Sequence, residues 1–246
     1  MSQTDIINSL NTMYEARKEL LIKKNYANSI KTLIELISYK NLSNNDFLKN
    51  TLALAYLENK DYSEAAKIYY ELDQKYQAGF CELLMGNIYT ARDIWYKIPE
   101  SEASCWGKSL LDLIDLKKNY LPTFIQIRNH LECDLGYFIQ ADRLEYVENI
   151  TKCSDILASI NPEAYKFIGK ALLNNGFANL SINYFLKSQR LIPQDSENYY
   201  HLGQYSCLAG AYEEGKEMLN HCLLLNQYYV PARNLLEKIE AKIKNS

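Results

Sequence analysis

Glycine and proline are scarce in this 246-residue chain, with nine glycines and five prolines. A sheet protein with many tight turns uses more of both, so their scarcity disfavours a β fold and favours helices. No window approaches the ~20 apolar residues of a membrane-spanning helix, and the N-terminal stretch "MSQTDIINSLNTMYEARKEL" lacks the apolar run of a signal peptide. We therefore expect a cytoplasmic protein that makes no membrane contact.

The chain also lacks a large excess of charge of either sign. The formal net charge is -3, and neither half of the chain carries a block of like charges. A protein that binds nucleic acid through phosphate groups needs a basic surface, so this balance argues against nucleic acid as a partner. The six cysteines are scattered, without a C-x-x-C pair or zinc-like spacing. We expect reduced thiols that pack as small apolar side chains.

Motifs for catalysis are absent as well. The sequence contains no P-loop, no G-x-S-x-G, no H-E-x-x-H and no dinucleotide fingerprint. His130, His201 and His221 are far apart in the sequence, and none has an orienting or co-ligating partner at a defined spacing. The sequence therefore predicts no metal site, no cofactor and no enzymatic activity.

Amphipathic helix pairs are what the chain does contain, and the stretch "YKFIGKALLNNGFANLSINYF" shows one of them. An apolar stripe at helical spacing comes first, formed by Ala164, Phe167, Ile168, Ala171 and Leu172. Asn175-Gly176 then predicts the end of a helix, because glycine accepts the left-handed conformation. A second apolar stripe follows, so the stretch predicts two helices joined by a tight turn, an αα-hairpin.

This hairpin pattern recurs 34 residues later. Gly203 follows Gly169 by 34 positions, Gly210 follows Gly176 by 34, and Leu219 follows Phe185 by 34. A glycine within a helix is expected where a neighbouring helix must approach closely, and Ser181 and Gly215 are the predicted small partners on the second helices.

The 34-residue helix–turn–helix period, with its Leu-Gly pair and later aromatic residues, resembles the tetratricopeptide repeat. The resemblance implies an all-α fold, a right-handed superhelical solenoid of stacked αα-hairpins whose concave side is lined mainly by the first helix of each pair. Residues 1–246 would then form a single solenoid. Clear repeats are expected at 46–72, 162–195 and 196–229, degenerate repeats at 76–160, and a capping helix at 230–244.

The same resemblance implies a scaffold for protein–protein interaction that binds a peptide segment of a partner in its concave groove. Repeat geometry predicts that one set of side chains faces this groove: Tyr14, Lys18, Asn50, Lys166, Lys170, Asn174, Tyr200 and Gln204. Lys166 and Lys170 lie one helical turn apart and meet no acid on that face of their own helix, so with Asn174 they are expected to receive a carboxylate or an acidic peptide.

Some members of the family hold the C-terminus of chaperones with a two-carboxylate clamp, and this sequence departs from that pattern. Lys170 and His201 stand where asparagines are wanted, and Pro231 and Leu235 replace the last lysine and arginine. Two alternatives to a peptide scaffold stay open. One is a helical repeat that binds nucleic acid, and the other is a non-catalytic subunit that supports an enzyme complex. The irregular 76–160 region departs from the repeat, and such departures often mark a separate function.

Overall fold

A computed structural model describes the backbone of residues 3–39 and 42–244 and the side chains of residues 10–39 and 42–243. These residues form α-helices and no strand, which confirms the all-α prediction. The helices are α1 (Gln3–Leu21), α2 (Tyr26–Ser38), α3 (Asp46–Glu58), α4 (Tyr62–Glu71), α5 (Lys75–Met85), α6 (Ile88–Lys97), α7 (Glu102–Ile114), α8 (Phe124–Gln140), α9 (Leu144–Lys152), α10 (Ser154–Ile160), α11 (Ala164–Asn174), α12 (Ala178–Leu191), α13 (Ser196–Leu208), α14 (Tyr212–Leu225) and α15 (Val230–Lys244).

The chain divides into two compact units, residues 1–111 and residues 112–246, with the division inside α7. In the first unit each helix from α1 to α5 packs against the next one along the chain. One apolar cluster joins α1, α2 and α3, with Leu20, Leu33 and Leu48 among its buried members. The first unit is therefore a run of antiparallel helix pairs, as a repeat of αα-hairpins predicts.

Two glycines make room for a tryptophan at the end of the first unit. Trp95 of α6 is fully buried and its Nε1 donates a hydrogen bond to the backbone oxygen of Tyr76, at 3.1 Å. A Cβ atom added to Gly107 would lie 2.6 Å from Cδ2 of Trp95, and one added to Gly79 would clash with its Nε1. The indole therefore lies against two helix backbones that no larger residue would allow to come so near.

In the second unit α8 packs against α9 and α11, and α10 packs against α11. Two hairpins follow, α11 with α12 and α13 with α14, and α15 packs on α14 and α13. The irregular stretch shows how the pattern degrades: α9 and α10 are short and are separated at Cys153. The loop between α7 and α8 is held by the buried Asp112, whose Oδ2 accepts a hydrogen bond from the backbone N–H of Tyr120 at 2.7 Å.

The second helices of the two C-terminal hairpins, α12 and α14, begin and end 34 residues apart. A Cβ atom added to Gly169 would lie 2.7 Å from Cε1 of Phe185, and one added to Gly203 would lie 2.9 Å from Cγ of Leu219. In each hairpin the large residue stands 16 positions after the glycine, as Trp95 does after Gly79 in the first unit. The repeat and the close approach at these glycines are confirmed. A right-handed superhelix over the whole chain stays a prediction.

Candidate peptide-binding groove

A groove of about 810 Å³ runs between α11, α13 and α15 in the second unit. These are the first helices of two successive hairpins and the helix that follows them, the side that repeat geometry assigns to binding. Aliphatic side chains form much of its wall: Leu173, Leu208, Val230, Pro231, Leu235 and Ile239. The rings of Tyr200 and Tyr212 add aromatic surface. We call this region the C-terminal groove.

Polar groups of two kinds also line the C-terminal groove. Asn174 of α11, Gln204 of α13 and Asn234 of α15 present carboxamides, so each helix contributes one. Lys238 and Lys242 of α15 are the charged residues of the lining, and no carboxylate is among the lining residues. A carboxamide both donates and accepts hydrogen bonds, which is the combination that a peptide backbone requires.

Tyr200 and Gln204 are fixed in place by the residues beneath them. The ring of Tyr200 contacts the rings of Tyr229 and His201, with centroids 5.3 and 5.2 Å apart. Nδ1 of His201 lies 2.7 Å from Oε1 of Gln204, and the imidazole stacks on Phe185 at 5.3 Å. Burial is the main cause that raises the pKa of Tyr200 and raises that of Tyr229 to about 12. The phenol groups of Tyr200 and Tyr229 are therefore neutral at physiological pH.

A buried cluster of charges lies close to this wall, around Lys166. The ammonium of Lys166 is 2.9 Å from Glu163, 2.7 Å from Asp195 and 3.0 Å from Glu197, and 4% of its side chain is exposed. Burial alone would lower the pKa of Lys166, but the hydrogen bonds to Asp195 and Glu163 outweigh it and raise the pKa above its usual range. This lysine is a structural tie between α11 and the start of α13.

Lys170 belongs to the same cluster. Its ammonium lies 3.0 Å from Glu132 of α8 and 2.9 Å from Glu197 of α13. His201 stabilises the ionised form of Glu197, and Lys170 and Lys166 do so too, so the pKa of Glu197 lies well below its usual range despite burial. The cluster links the first helices α8, α11 and α13.

The expectation that Lys166 and Lys170 meet no acid and receive a ligand carboxylate is wrong. Acids that are distant in the sequence satisfy both ammonium groups, and neither lysine lines the C-terminal groove. Their own helix face carries no acid within a turn except Glu163, and the other partners come from α8 and from the start of α13. Sequence spacing along one helix cannot reveal such partners.

The other predicted groove residues fall into two groups. Asn174, Tyr200 and Gln204 are brought together in the C-terminal groove. Tyr14, Lys18 and Asn50 lie in the first unit, where Tyr14 and Asn50 are exposed and Lys18 lies 3.5 Å from Glu15. None of these three lines the C-terminal groove, and their role in binding stays a prediction.

The sequence reading missed Asn234, Lys238 and Lys242. The sequence analysis predicted only a capping helix at 230–244, whereas α15 turns Pro231, Asn234, Leu235 and Lys238 toward the groove. The signal was present in the sequence, because these residues follow helical spacing. Only the placement of α15 against α13 and α14 showed that this face closes a groove.

A second, smaller cavity of about 360 Å³ lies in the same unit, between α8, α9, α11 and α12. Its lining is mostly aliphatic and aromatic, with Leu144, Val147, Leu180 and Tyr184 among its residues. It lies on the side of the second helices, where α9 stops early at Lys152. It offers few groups that would orient a ligand.

Neither a metal-binding cluster nor a membrane-spanning helix is found in the described part of the chain. No group of three or more His, Cys, Asp or Glu side chains there is arranged to hold a metal ion. No helix there combines the length and the apolar character needed to cross a membrane.

No protein-family model and no curated protein matches the chain. Among solved structures, it is similar to the crystal structure of the P58(IPK) TPR domain, with a TM-score of 0.38, and to that of yeast Tom70, with a TM-score of 0.33. In both cases the identity is 15% over 96% of this chain and 66% of the other. The chain thus spans just under two thirds of the length of either structure.

Proposed function

We propose that the protein is a non-catalytic interaction scaffold that binds a peptide segment of a partner protein in the C-terminal groove. The observation that supports it is the combination found there: an open groove of about 810 Å³, apolar and aromatic walls, and one carboxamide from each of α11, α13 and α15. Apolar walls supply affinity, and a few placed polar groups fix the orientation of what is bound. A cytoplasmic location is part of the same proposal.

The three carboxamides favour a peptide over a small apolar molecule. Asn174 and Asn234 are exposed and Gln204 is half-buried, so their amide groups stand at the groove surface. An extended peptide repeats N–H and C=O groups along its length, and successive carboxamides can pair with both. His201 holds the side chain of Gln204, and Tyr229 packs on the ring of Tyr200. Because these contacts already order both side chains, the entropy cost of binding a peptide is lower.

The test uses the purified full chain and a phage library of random linear peptides. Enriched peptides are measured against two variants that place the same bulky cation on exposed leucines. Leu208→Arg changes a groove residue that is 69% exposed, and Leu224→Arg changes a residue of α14 that is 80% exposed and outside the groove. Both leucines are mostly in solvent, so both variants should keep the native helix content.

We expect Leu208→Arg to weaken binding of the enriched peptides at least about tenfold and Leu224→Arg to leave it unchanged. The proposal fails if no peptide is enriched. It also fails if the two variants bind the peptides equally well.

A further inference from the structure

Exposed apolar side chains are concentrated where α7 is joined to α8. Leu116, Tyr120 and Leu121 lie in the connecting loop, and Phe124 and Ile125 are the first two residues of α8. Between 39% and 51% of each of these residues is exposed. None of the five lines the C-terminal groove or the smaller cavity. They form a separate surface, which we call the α7–α8 patch.

The backbone around the patch is anchored to the interior. Oδ2 of the buried Asp112 accepts a hydrogen bond from the N–H of Tyr120 at 2.7 Å. The side chain of the buried Asn161 donates one to the backbone oxygen of Phe124 at 3.1 Å, and Thr123 caps the N-terminus of α8. Turning the patch inward would break these hydrogen bonds and leave buried polar groups unpaired, so the apolar side chains stay exposed.

The unpaired charges beside the patch are positive. Lys118 of the loop and Arg128 of α8 are exposed, and neither has an ion-pair partner among the described residues. Lys118 lies near the thiol of Cys153, which is uncharged at neutral pH because burial raises its pKa. Arg128 stands three residues after Ile125, so the two share one face of α8. Two cations next to the patch are therefore available to an external anion.

The acids near these cations are already paired. Asp115 lies 2.8 Å from Lys117 of the same loop. Glu132, further along α8, lies 3.0 Å from Lys170 of α11. The segment 115–128 contains one acid and three basic residues, whereas the whole chain has a formal net charge of -3. The patch thus combines apolar surface with an excess of positive charge.

We propose that the α7–α8 patch attaches the protein to the surface of a membrane that contains anionic lipids. The apolar side chains enter the boundary between headgroups and acyl chains, and Lys118 and Arg128 contact the anionic headgroups. A tyrosine such as Tyr120 suits this boundary, because its ring is apolar and its hydroxyl is polar. The contact is peripheral and uses no membrane-spanning helix. The sequence analysis expected no membrane contact, and the proposal departs from that expectation.

A lipid surface fits the patch better than a peptide does. A peptide is held between the walls of a groove or along a sheet edge, whereas the patch is a loop and the first turn of a helix. Insertion into the headgroup region requires exposed apolar side chains with cations beside them, which is the combination found here. Because the patch lies outside the C-terminal groove, its test is independent of the proposed function.

The experiment measures how much of the purified full chain sediments with lipid vesicles. One set of vesicles is phosphatidylcholine alone, and the other is an equimolar mixture of phosphatidylcholine and phosphatidylserine. We expect binding to the mixed vesicles and little binding to phosphatidylcholine alone. Added salt should weaken the binding, because it screens the attraction between the cations and the headgroups.

A first pair of variants tests the apolar side chains. Leu121→Ser with Ile125→Ser removes two residues of the patch that are 51% and 50% exposed. The control is Leu180→Ser with Leu191→Ser on α12, at residues that are 53% and 49% exposed. We expect the patch variant to bind the mixed vesicles at least about tenfold more weakly and the control to bind them as the native protein does.

A second pair tests the charges. Lys118→Gln with Arg128→Gln should also weaken binding to the mixed vesicles at least about tenfold. Its control is Lys31→Gln with Lys60→Gln, which makes the same change in net charge at two exposed lysines of the first unit that have no ion-pair partner among the described residues. The control should keep its binding.

A tryptophan placed in the patch reports insertion directly. The two native tryptophans, Trp95 and Trp106, are fully buried. In a Leu121→Trp variant, the new indole is the one exposed to solvent, and its emission should move to shorter wavelength when mixed vesicles are added. An emission that does not move would contradict insertion of the loop.

Several results would overturn the proposal. They are a native protein that fails to bind mixed vesicles, equal binding to both kinds of vesicle, and equal losses in a patch variant and its control. Displacement from vesicles by soluble glycerophosphoserine would also overturn it, because the headgroup alone would then be recognised. A native dimer that Leu121→Ser with Ile125→Ser converts to a monomer would show that a second copy covers the patch instead. Patch-dependent binding of polyglutamate without vesicle binding would assign the patch to an acidic protein.

Discussion

The ammonium of Lys166 lies 2.7 Å from Oδ2 of Asp195, and this contact ties α11 to the start of α13. The two residues are 29 positions apart and belong to successive hairpins. The same ammonium also holds Glu163 and Glu197, so a single side chain gathers three acids. The sequence analysis expected Lys166 to bind a ligand, whereas in the structure this lysine links two successive hairpins.

Replacing Lys166 by methionine should destabilise the protein by about 3 kcal/mol, because it leaves the carboxylate of Asp195, which is only 13% exposed, without its counter-charge. The measurement is the free energy of unfolding in urea. Lys187→Met is the matched control, since Lys187 forms an ion pair with Asp155 that is largely in solvent, and its loss should cost at most about 1 kcal/mol. A Lys166 variant no less stable than the Lys187 variant would contradict the structural role.

Stability should decline at acid pH in a way that depends on Glu197. His201 and the two lysines lower the pKa of Glu197 in the folded protein below the ordinary value of 4.5. The stabilisation is therefore complete above that value and is lost as the pH falls toward the folded pKa. At the other end, the raised pKa of Lys166 gives stability that is complete below the ordinary value of 10.5 and is lost at higher pH.

The check is the urea midpoint of the native protein and of Glu197→Gln, measured at a series of pH values from neutral down to about 3. The native midpoint should fall more steeply below the ordinary glutamate pKa than that of the variant. Parallel curves would show that Glu197 is not the group responsible.

Adding one methyl group should have opposite effects at two helical glycines. In Gly169→Ala the new Cβ would lie 2.7 Å from the fully buried ring of Phe185. Overpacking should then outweigh the gain in helix propensity and give a net loss of about 1–2 kcal/mol. In Gly136→Ala of α8 the nearest atom is Nδ2 of Asn175 at 3.6 Å, an ordinary contact.

Gly136→Ala should therefore stabilise the protein by about 0.5–1 kcal/mol, since alanine favours the helix and nothing must move. Thermal and urea unfolding of the pair measure both signs. If Gly169→Ala is as stable as Gly136→Ala, the close approach of Phe185 to α11 is not what requires the glycine.

The cysteines should react in the order of their exposure. None of the six is in a disulfide, and Cys133 is exposed whereas Cys81 and Cys222 are buried. Burial is the main cause that raises the pKa of Cys81 to about 12 and that of Cys222 to about 11. Both thiols are therefore protonated and inaccessible at neutral pH.

In the folded protein, a thiol reagent such as DTNB should modify Cys133 first. Cys81 and Cys222 should react only after the protein unfolds. A Cys133→Ser variant should lack the fast phase. A fast phase that persists in this variant would contradict the assignment.

The sequence could predict the helical hairpins and the glycines at 169 and 203, because these depend on neighbours within one hairpin. It could also predict the 34-residue spacing, because the same pattern of residues recurs at that interval. The same repeat geometry named Asn174, Tyr200 and Gln204, which line the C-terminal groove, and Lys166 and Lys170, which do not line it. The division of the chain into two units was not predicted. Neither was the groove-lining face of α15, whose partners are in other repeats.

Local chemistry along the chain determined that this protein is built of paired helices: apolar residues at helical spacing, glycines with positive φ at 176 and 210, and small residues where helices touch. Tertiary structure alone decided which lysines are paired with acids from other helices. Glu132 of α8 and Asp195 and Glu197 at the start of α13 neutralise Lys166 and Lys170. The physical reason is that an ion pair depends on distance in space, which helical periodicity within one segment does not fix.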